Sequence, residues 1–214
     1  MKRLFLLSLA LSGAASAQTV SAIISQVEAA QKNLKDVSFK VSGTANFDSG
    51  AQKLDLDVQA IPAQNVARVN FNAPDALADN VIVVDNKTVS NYLYLTNQIT
   101  VQNASQAAQA GVNFFDPSQF TNFTGLLDSN YNVKLVDTVN QGGKVYVLEA
   151  TPKNGGADRT RVWIAEQGWR PVRVQTLSGG KVTTDLSITN YKTNAGLSAA
   201  RLKALPKDAE VVKR

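Results

Sequence analysis

Asp55 and Asp57, one residue apart in "KLDLDVQ", are the nearest the sequence comes to an acid–base pair or to the carboxylates of a calcium site. They alternate with Leu54, Leu56 and Val58, so the spacing that brings the carboxylates together also puts them on the wet face of a strand. A solvated pair is the expectation. The chain has no histidine and no cysteine, which removes Ser-His-Asp and Cys-His arrangements, thiol chemistry, disulfides and thiolate metal sites. No Gly-x-Ser-x-Gly elbow occurs, and nothing marks a Ser-Lys dyad. The paired glycines starting at 142, 155 and 179 lack the strand-to-helix context of a phosphate cradle and read as turns. Asn86-Lys87-Thr88, Asn103-Ala104-Ser105 and Asn122-Phe123-Thr124 match the glycosylation sequon, a pattern too short to carry weight.

One further constellation could hold a ligand. In "DRTRVWIAEQGWRPVRV", Arg159, Arg161, Arg170 and Arg173 surround Trp163 and Trp169. Stacking on a base is one use of such a set, and a cross-strand cation–π contact is the other, structural one, which is the expectation here. No catalytic residue, metal ligand or cofactor is therefore expected, and a binding function remains.

The N-terminus reads as an address. Lys2-Arg3, an apolar run from Leu4 to Leu11 and the small residues Ala15-Ser16-Ala17 make a signal peptide over residues 1–17, far shorter than the roughly 20 apolar residues a spanning helix needs. Taking 17 from 214 leaves 197 residues, expected to form one exported domain over 18–214. Losing Lys2 and Arg3 leaves 20 basic against 17 acidic residues, a balance of +3 with no long block of like charge. No nucleic-acid partner is expected. Without cysteine the chain cannot itself carry an acylated N-terminal cysteine, and a soluble monomer is the expectation.

The elements that would position a site follow from periodicity. Between Thr19 and Asp36 the residues Val20, Ile23, Ile24, Val27, Ala30 and Leu34 recur at helical spacing. Alternating segments then predict strands at 39–47, 53–59, 66–71, 80–85, 88–95 and 98–102, and, after a break, at 131–138, 144–151, 158–165, 170–177 and 181–190. That is about eleven antiparallel strands, too many for a flat open sheet, so an incomplete barrel is expected. The break holds "NFFDPSQFTNFTGLLDS", with Asp116 as N-cap, Pro117 at the first helical position, and Phe114, Phe115, Phe120, Phe123, Leu126 and Leu127 as an apolar stripe. It can be core packing on the sheet or a movable lid.

"VIVVDNKTVSNYLYLTNQITV", residues 81–101, poses a packing problem, because neither face of Val81–Val84 is polar. The N-terminal helix and the Phe-rich segment are the elements expected to cover such apolar surface. If the space takes an acyl chain, each buried methylene contributes about 0.8 kcal/mol, and roughly 14 of them about 11 kcal/mol before association costs.

These residues resemble a known family. The signal peptide, the amphipathic helix, the 81–101 stretch, then "VYVLEATPK", "VWIAEQGWRPVRV" and "GLSAARLKALPKDAEVV" are similar, in order, to the periplasmic lipoprotein carriers of the LolA type. The resemblance implies an unclosed eleven-stranded barrel capped by helices, whose cavity holds lipoprotein acyl chains between an inner-membrane exporter and an outer-membrane acceptor. Related folds serve as lipid-anchored acceptors and envelope-stress regulators. The family's lid-closing arginine precedes a proline where this chain has Ile61 before Pro62, so that role is carried over to no residue, Arg68 included.

The resulting expectation is a carrier, not an enzyme, that binds acyl chains of lipoproteins or other lipids and shuttles them toward the outer membrane. Its alternative is an envelope-stress sensor module without cargo. The expected cavity lining is Ile23, Ile24 and Val27 on the helix, Leu54, Leu56, Val58, Phe71, Tyr92 and Tyr94 on the sheet, and Phe114, Phe115, Phe120, Phe123, Leu126 and Leu127 in the cap.

Overall fold

The computed structural model describes residues 18–47, 50–86, 88–103 and 130–213. The segment 1–17 expected to be a signal peptide and the Phe-rich stripe lie outside them. Helix α1 spans Val20–Lys32, its start fixed by Thr19, whose Oγ1 accepts the Ala22 N–H at 3.2 Å. It ends sooner than its periodicity predicts. Asn33 turns its side chain back to donate to the Ala29 carbonyl at 3.1 Å, and the chain leaves for the sheet while Leu34 still packs on the core.

Twelve described strands form one sheet: β1 (Val37–Phe47), β2 (Gly50–Ile61), β3 (Val66–Ala73), β4 (Val81–Asp85), β5 (Thr88–Leu93), β6 (Gln98–Asn103), β7 (Tyr131–Asn140), β8 (Lys144–Pro152), β9 (Arg159–Ala165), β10 (Arg170–Ser178), β11 (Lys181–Thr193) and β12 (Glu210–Lys213). The order is β12-β6-β5-β4-β3-β2-β1-β11-β10-β9-β8-β7. Two meanders, β1–β6 and β7–β11, are thus joined where β11 returns beside β1, and the ends β12 and β7 do not pair, so the sheet is open. Close approach of β1 to β11 requires Gly43, since a Cβ there would collide with the Asp185 carbonyl oxygen.

The expected count of eleven strands is corrected to twelve. β12 runs parallel to β6, with Val211 opposite Ile99, whereas every other pair is antiparallel. A four-residue parallel strand reached by a long crossover carries no hairpin signal, which is why the sequence hid it.

One face of the sheet carries α1. Ile23 and Val27, both 0% exposed, meet Val41 of β1, Leu56 and Val58 of β2, Val69 of β3, Leu148 of β8, Ile164 of β9 and Ile188 of β11 in one core. The opposite face is polar along β1 and β2, where Lys40 pairs with Asp55 at 2.8 Å, but turns apolar at β4.

That second apolar surface is covered by the C-terminal segment, an element the sequence did not single out for the task. Val81 and Val83 join Tyr92 and Ile99 beneath Leu205 and Ala209, while Ile61 and Val66 take Leu202 of the short helix α2 (Ala199–Lys203). Polar anchors hold the strap down. Arg68 donates to the Leu202 and Ala204 carbonyls at 3.2 and 2.6 Å, Lys203 reaches Asp85 at 2.9 Å, and Asp36 accepts the N–H groups of Ala195, Gly196 and Leu197 at 2.8, 2.9 and 3.2 Å.

Candidate functional site

The α1 face and the cleft at its edge form the candidate site. On that face the structure brings together Ile23, Val27, Leu54, Leu56, Val58 and Phe71 of the expected set, all in one buried cluster. Ile24 is half-buried beside them on α1. Tyr92 is not with them. Val69 of β3 faces α1 and pairs with Ile82, so Val81 and its partner Tyr92 point to the strap side, where the Tyr92 hydroxyl donates to Asn97 Oδ1 at 3.2 Å. Tyr94 begins a 3-10 turn and is 54% exposed. Phe114, Phe115, Phe120, Phe123, Leu126 and Leu127 lie outside the described residues.

Where α1 ends, a cleft of about 480 Å³ opens between Ala30–Leu34, the β9–β10 turn at Gln167–Pro171 and the end of β11 at Tyr191–Asn194. Leu34, Trp169 and Tyr191 line it and at the same time pack against the buried core, so its apolar wall continues the α1 face. The tight turn from Glu166 carries Gly168 at φ +79° and then Trp169 at φ +45°, the left-handed region that bulky residues rarely occupy. What holds Trp169 there is contact: its ring lies parallel to Tyr146, centroids 5.8 Å apart, while Tyr191 stacks on Phe39 at 5.6 Å. Tyr146 donates its hydroxyl to Glu166 Oε1 at 2.7 Å, and burial first, then this bond, pushes its pKa up to about 12. Arg170 lays its guanidinium over the Tyr191 ring, 5.2 Å from the centroid.

Sequence reasoning noticed Trp169 and Arg170 but not this cleft. "EQGW" signals a turn; only the fold shows that the turn meets the end of α1 and Tyr191. The other members of the basic-aromatic set are structural, as expected. Arg173 stacks on its cross-strand partner Trp163 at 4.7 Å, forks onto Asp185 at 2.7 and 2.6 Å, and Arg159 and Arg161 both reach Glu149.

The Asp55–Asp57 pair is not arranged for chemistry. Asn72 Nδ2 donates to both carboxylates, at 2.9 and 2.8 Å; burial opposes the charge of Asp55, yet Lys40 and Asn72 outweigh it and hold its pKa below the ordinary value. Among the described residues no group of three or more Asp or Glu stands where it could hold a metal ion, and no helix is long and apolar enough to cross a membrane.

The fold has solved counterparts. An uncharacterized conserved protein of Thermus thermophilus superposes with a TM-score of 0.67 at 28% identity, covering 91% of this chain and 98% of that one. MucB matches with a TM-score of 0.57 at 18% identity over 90% of this chain and 64% of its own. The Pseudomonas aeruginosa MucA/MucB complex gives 0.53 at 19%, over 90% and 62%. No curated protein sequence matches the chain. The family model described as outer membrane lipoprotein carrier protein LolA matches residues 64–204, from the turn before β3 through α2. With more than half of its length so matched, and an open, mainly β sheet packed on a helix, the chain belongs to the LolA lipoprotein carrier family.

Proposed function

We propose that this protein is a periplasmic carrier that takes up the acyl chains of a lipoprotein, or of another lipid, against the α1 face and carries them toward the outer membrane. Family membership supports lipid or lipoprotein binding as the class of function. The observation that carries the finer reading is the continuity of apolar surface from the buried Ile23–Val27–Leu56–Val58 cluster out to Leu34, Trp169 and Tyr191 at the cleft.

Entry has to be coupled to opening, because Ile23, Val27, Leu56 and Val58 are fully buried. Lifting α1 exposes Ile23 and Val27, at a cost of about 1.5–3 kcal/mol each. Burying roughly 14 methylenes contributes about 11 kcal/mol, so a long chain can drive the displacement with several kcal/mol left for association and ordering. In this reading Ile23, Ile24, Val27, Leu54, Leu56, Val58 and Phe71 contact the chain, and the Phe-rich stripe caps it. An inner-membrane donor and an outer-membrane acceptor would then load and unload it. The sensor alternative gains a shared fold with MucB, a longer chain of which this one spans 64%, and no feature of this chain favours it.

Protein purified from its native envelope should release acyl species on organic extraction, identified by mass spectrometry. Absence of any acyl species, together with no displacement of a bound fluorescent fatty acid by unlabelled lipid, would overturn the proposal.

A further inference from the structure

The cleft beside α1 contains a cation, Arg170, with no carboxylate among the described residues to neutralise it. Among the described residues Arg159 and Arg161 are held by Glu149, Arg173 by Asp185 and Lys144 by Glu166, but no acidic group lies within ion-pair distance of Arg170. Its guanidinium instead rests on Tyr191, a flat, pre-oriented fork in a cleft whose apolar wall is Leu34, Trp169 and Tyr191 and whose rim carries the neutral polar residues Gln31, Asn33, Gln167, Thr193 and Asn194. The sequence neighbours of the lining residues are more often basic than acidic. Lys32, Lys35 and Lys192 each adjoin a lining residue in sequence, and two of the nearby acids are occupied: Asp36 by three backbone N–H groups, Glu166 by Tyr146 and Lys144. The carbonyl end of α1 opposes an anion here, and Lys32 in its last turn offsets that field.

We propose that this cleft receives the head of an anionic amphiphile, its carboxylate or phosphate on the Arg170 guanidinium and the first methylenes of its chain along Leu34, Trp169 and Tyr191 toward the core. The inference rests on lipid binding at the α1 face and names the class of lipid. An unpaired guanidinium over a ring makes charge-assisted, two-pronged hydrogen bonds to a carboxylate or phosphate, whereas a neutral ester only accepts from one N–H at a time. A bare inorganic anion would leave the three apolar side chains wet, and a bare hydrocarbon would leave the cation without a partner. The unusual backbone of Trp169 fits this use, since it sets the indole, backed by Tyr146, beside the arginine.

Calorimetric titration of the purified protein with dodecanoate, dodecyl phosphate, the neutral monododecanoyl glycerol and inorganic phosphate, all below micelle formation and at about pH 8, where a carboxyl is ionised, tests this. The two anionic amphiphiles should bind about tenfold or more tighter than the neutral ester, the scale of a charge-assisted hydrogen bond, and inorganic phosphate far more weakly. Arg170→Gln should erase that preference while leaving the neutral ester within about twofold, and Arg170→Lys should restore part of it. Thermal unfolding of Arg170→Gln close to that of the parent confirms that the fold is kept. Equal affinities for ester and dodecanoate, or a preference that survives Arg170→Gln, would overturn the inference and leave lipid binding intact. Inorganic phosphate binding as tightly as dodecyl phosphate would overturn the role of the chain. Failure of every amphiphile to bind would overturn lipid binding as well.

Discussion

The Asp36 carboxylate, at the entry to β1, accepts the Gly196 N–H at 2.9 Å from 160 residues further along the chain. With Ala195 and Leu197 donating to the same group, one side chain fixes where the C-terminal strap leaves the sheet. Asp36→Ala leaves three N–H groups without their acceptor and should cost about 2–4 kcal/mol in chemical denaturation. It should also raise hydrogen exchange in β12. A loss below about 0.5 kcal/mol with unchanged exchange would show that the strap is held elsewhere.

Gly43 is required by space. Gly43→Ala drives a methyl into the Asp185 carbonyl where β1 meets β11, so the two meanders must separate locally. The expected loss is about 1–3 kcal/mol by denaturant unfolding. Leu95→Ser, at a side chain 83% exposed, should stay within about 0.5 kcal/mol and serves as the control.

On the acid side, Asp185 is held below the ordinary carboxylate value first by its hydrogen bond to Arg173, with Gln175 assisting and burial opposing. Its proton is thus bound more weakly in the folded protein than in the unfolded chain. The associated stability is complete above about pH 4 and is lost as pH falls through the lowered pKa. Both partners are about a third exposed, 39% and 31%, so solvent screening limits the effect to about 1 kcal/mol. The stability gap between parent and Asp185→Asn should therefore narrow between about pH 5 and pH 2. A gap that stays constant would contradict the assignment.

On the alkaline side the sign reverses. Tyr146 has a pKa raised to about 12, so its contribution is complete below about pH 10, where an unfolded tyrosine ionises, and is lost as pH climbs toward the raised value. Tyr191 is also raised, by burial, against the pull of Arg170. Tyr146 and Tyr191 should therefore ionise late in a tyrosinate absorbance titration, and Tyr146→Phe should remove one of these two late steps. A titration of the folded protein in which Tyr146→Phe removes no late step would contradict the burial of Tyr146.

The strands were legible wherever one face is wet. Val37–Ala45 and Leu54–Ala60 alternate cleanly because α1 covers one side of β1 and β2 and water the other. "VIVVD" announced a cover on both faces, but nothing in its residues says which segment supplies the second one. The strap is a long-range partner whose anchors, Asp36 and Arg68, look like ordinary surface residues in sequence. Aromatic content does not reveal parity, so in sequence Tyr92 and Tyr94 look no different from the α1-facing residues. The Val81–Tyr92 register decides it, and a one-residue offset moves a side chain through the sheet. The cleft was unreadable for a related reason: Leu34, Trp169 and Tyr191 meet only because β11 crosses to β1 and brings the end of one meander to the start of the other.

The proposed carrier function places an acyl chain between α1 and the sheet. A fatty acid bearing a diazirine at its terminal carbon, bound and photolysed, then mapped by peptide mass spectrometry, reports that position directly. Label is expected on the segments carrying Ile23 and Val27 of α1 and Leu56 and Val58 of β2. Label confined to the strap side, at Val83, Tyr92 or Leu205, or no saturable labelling at all, would contradict it.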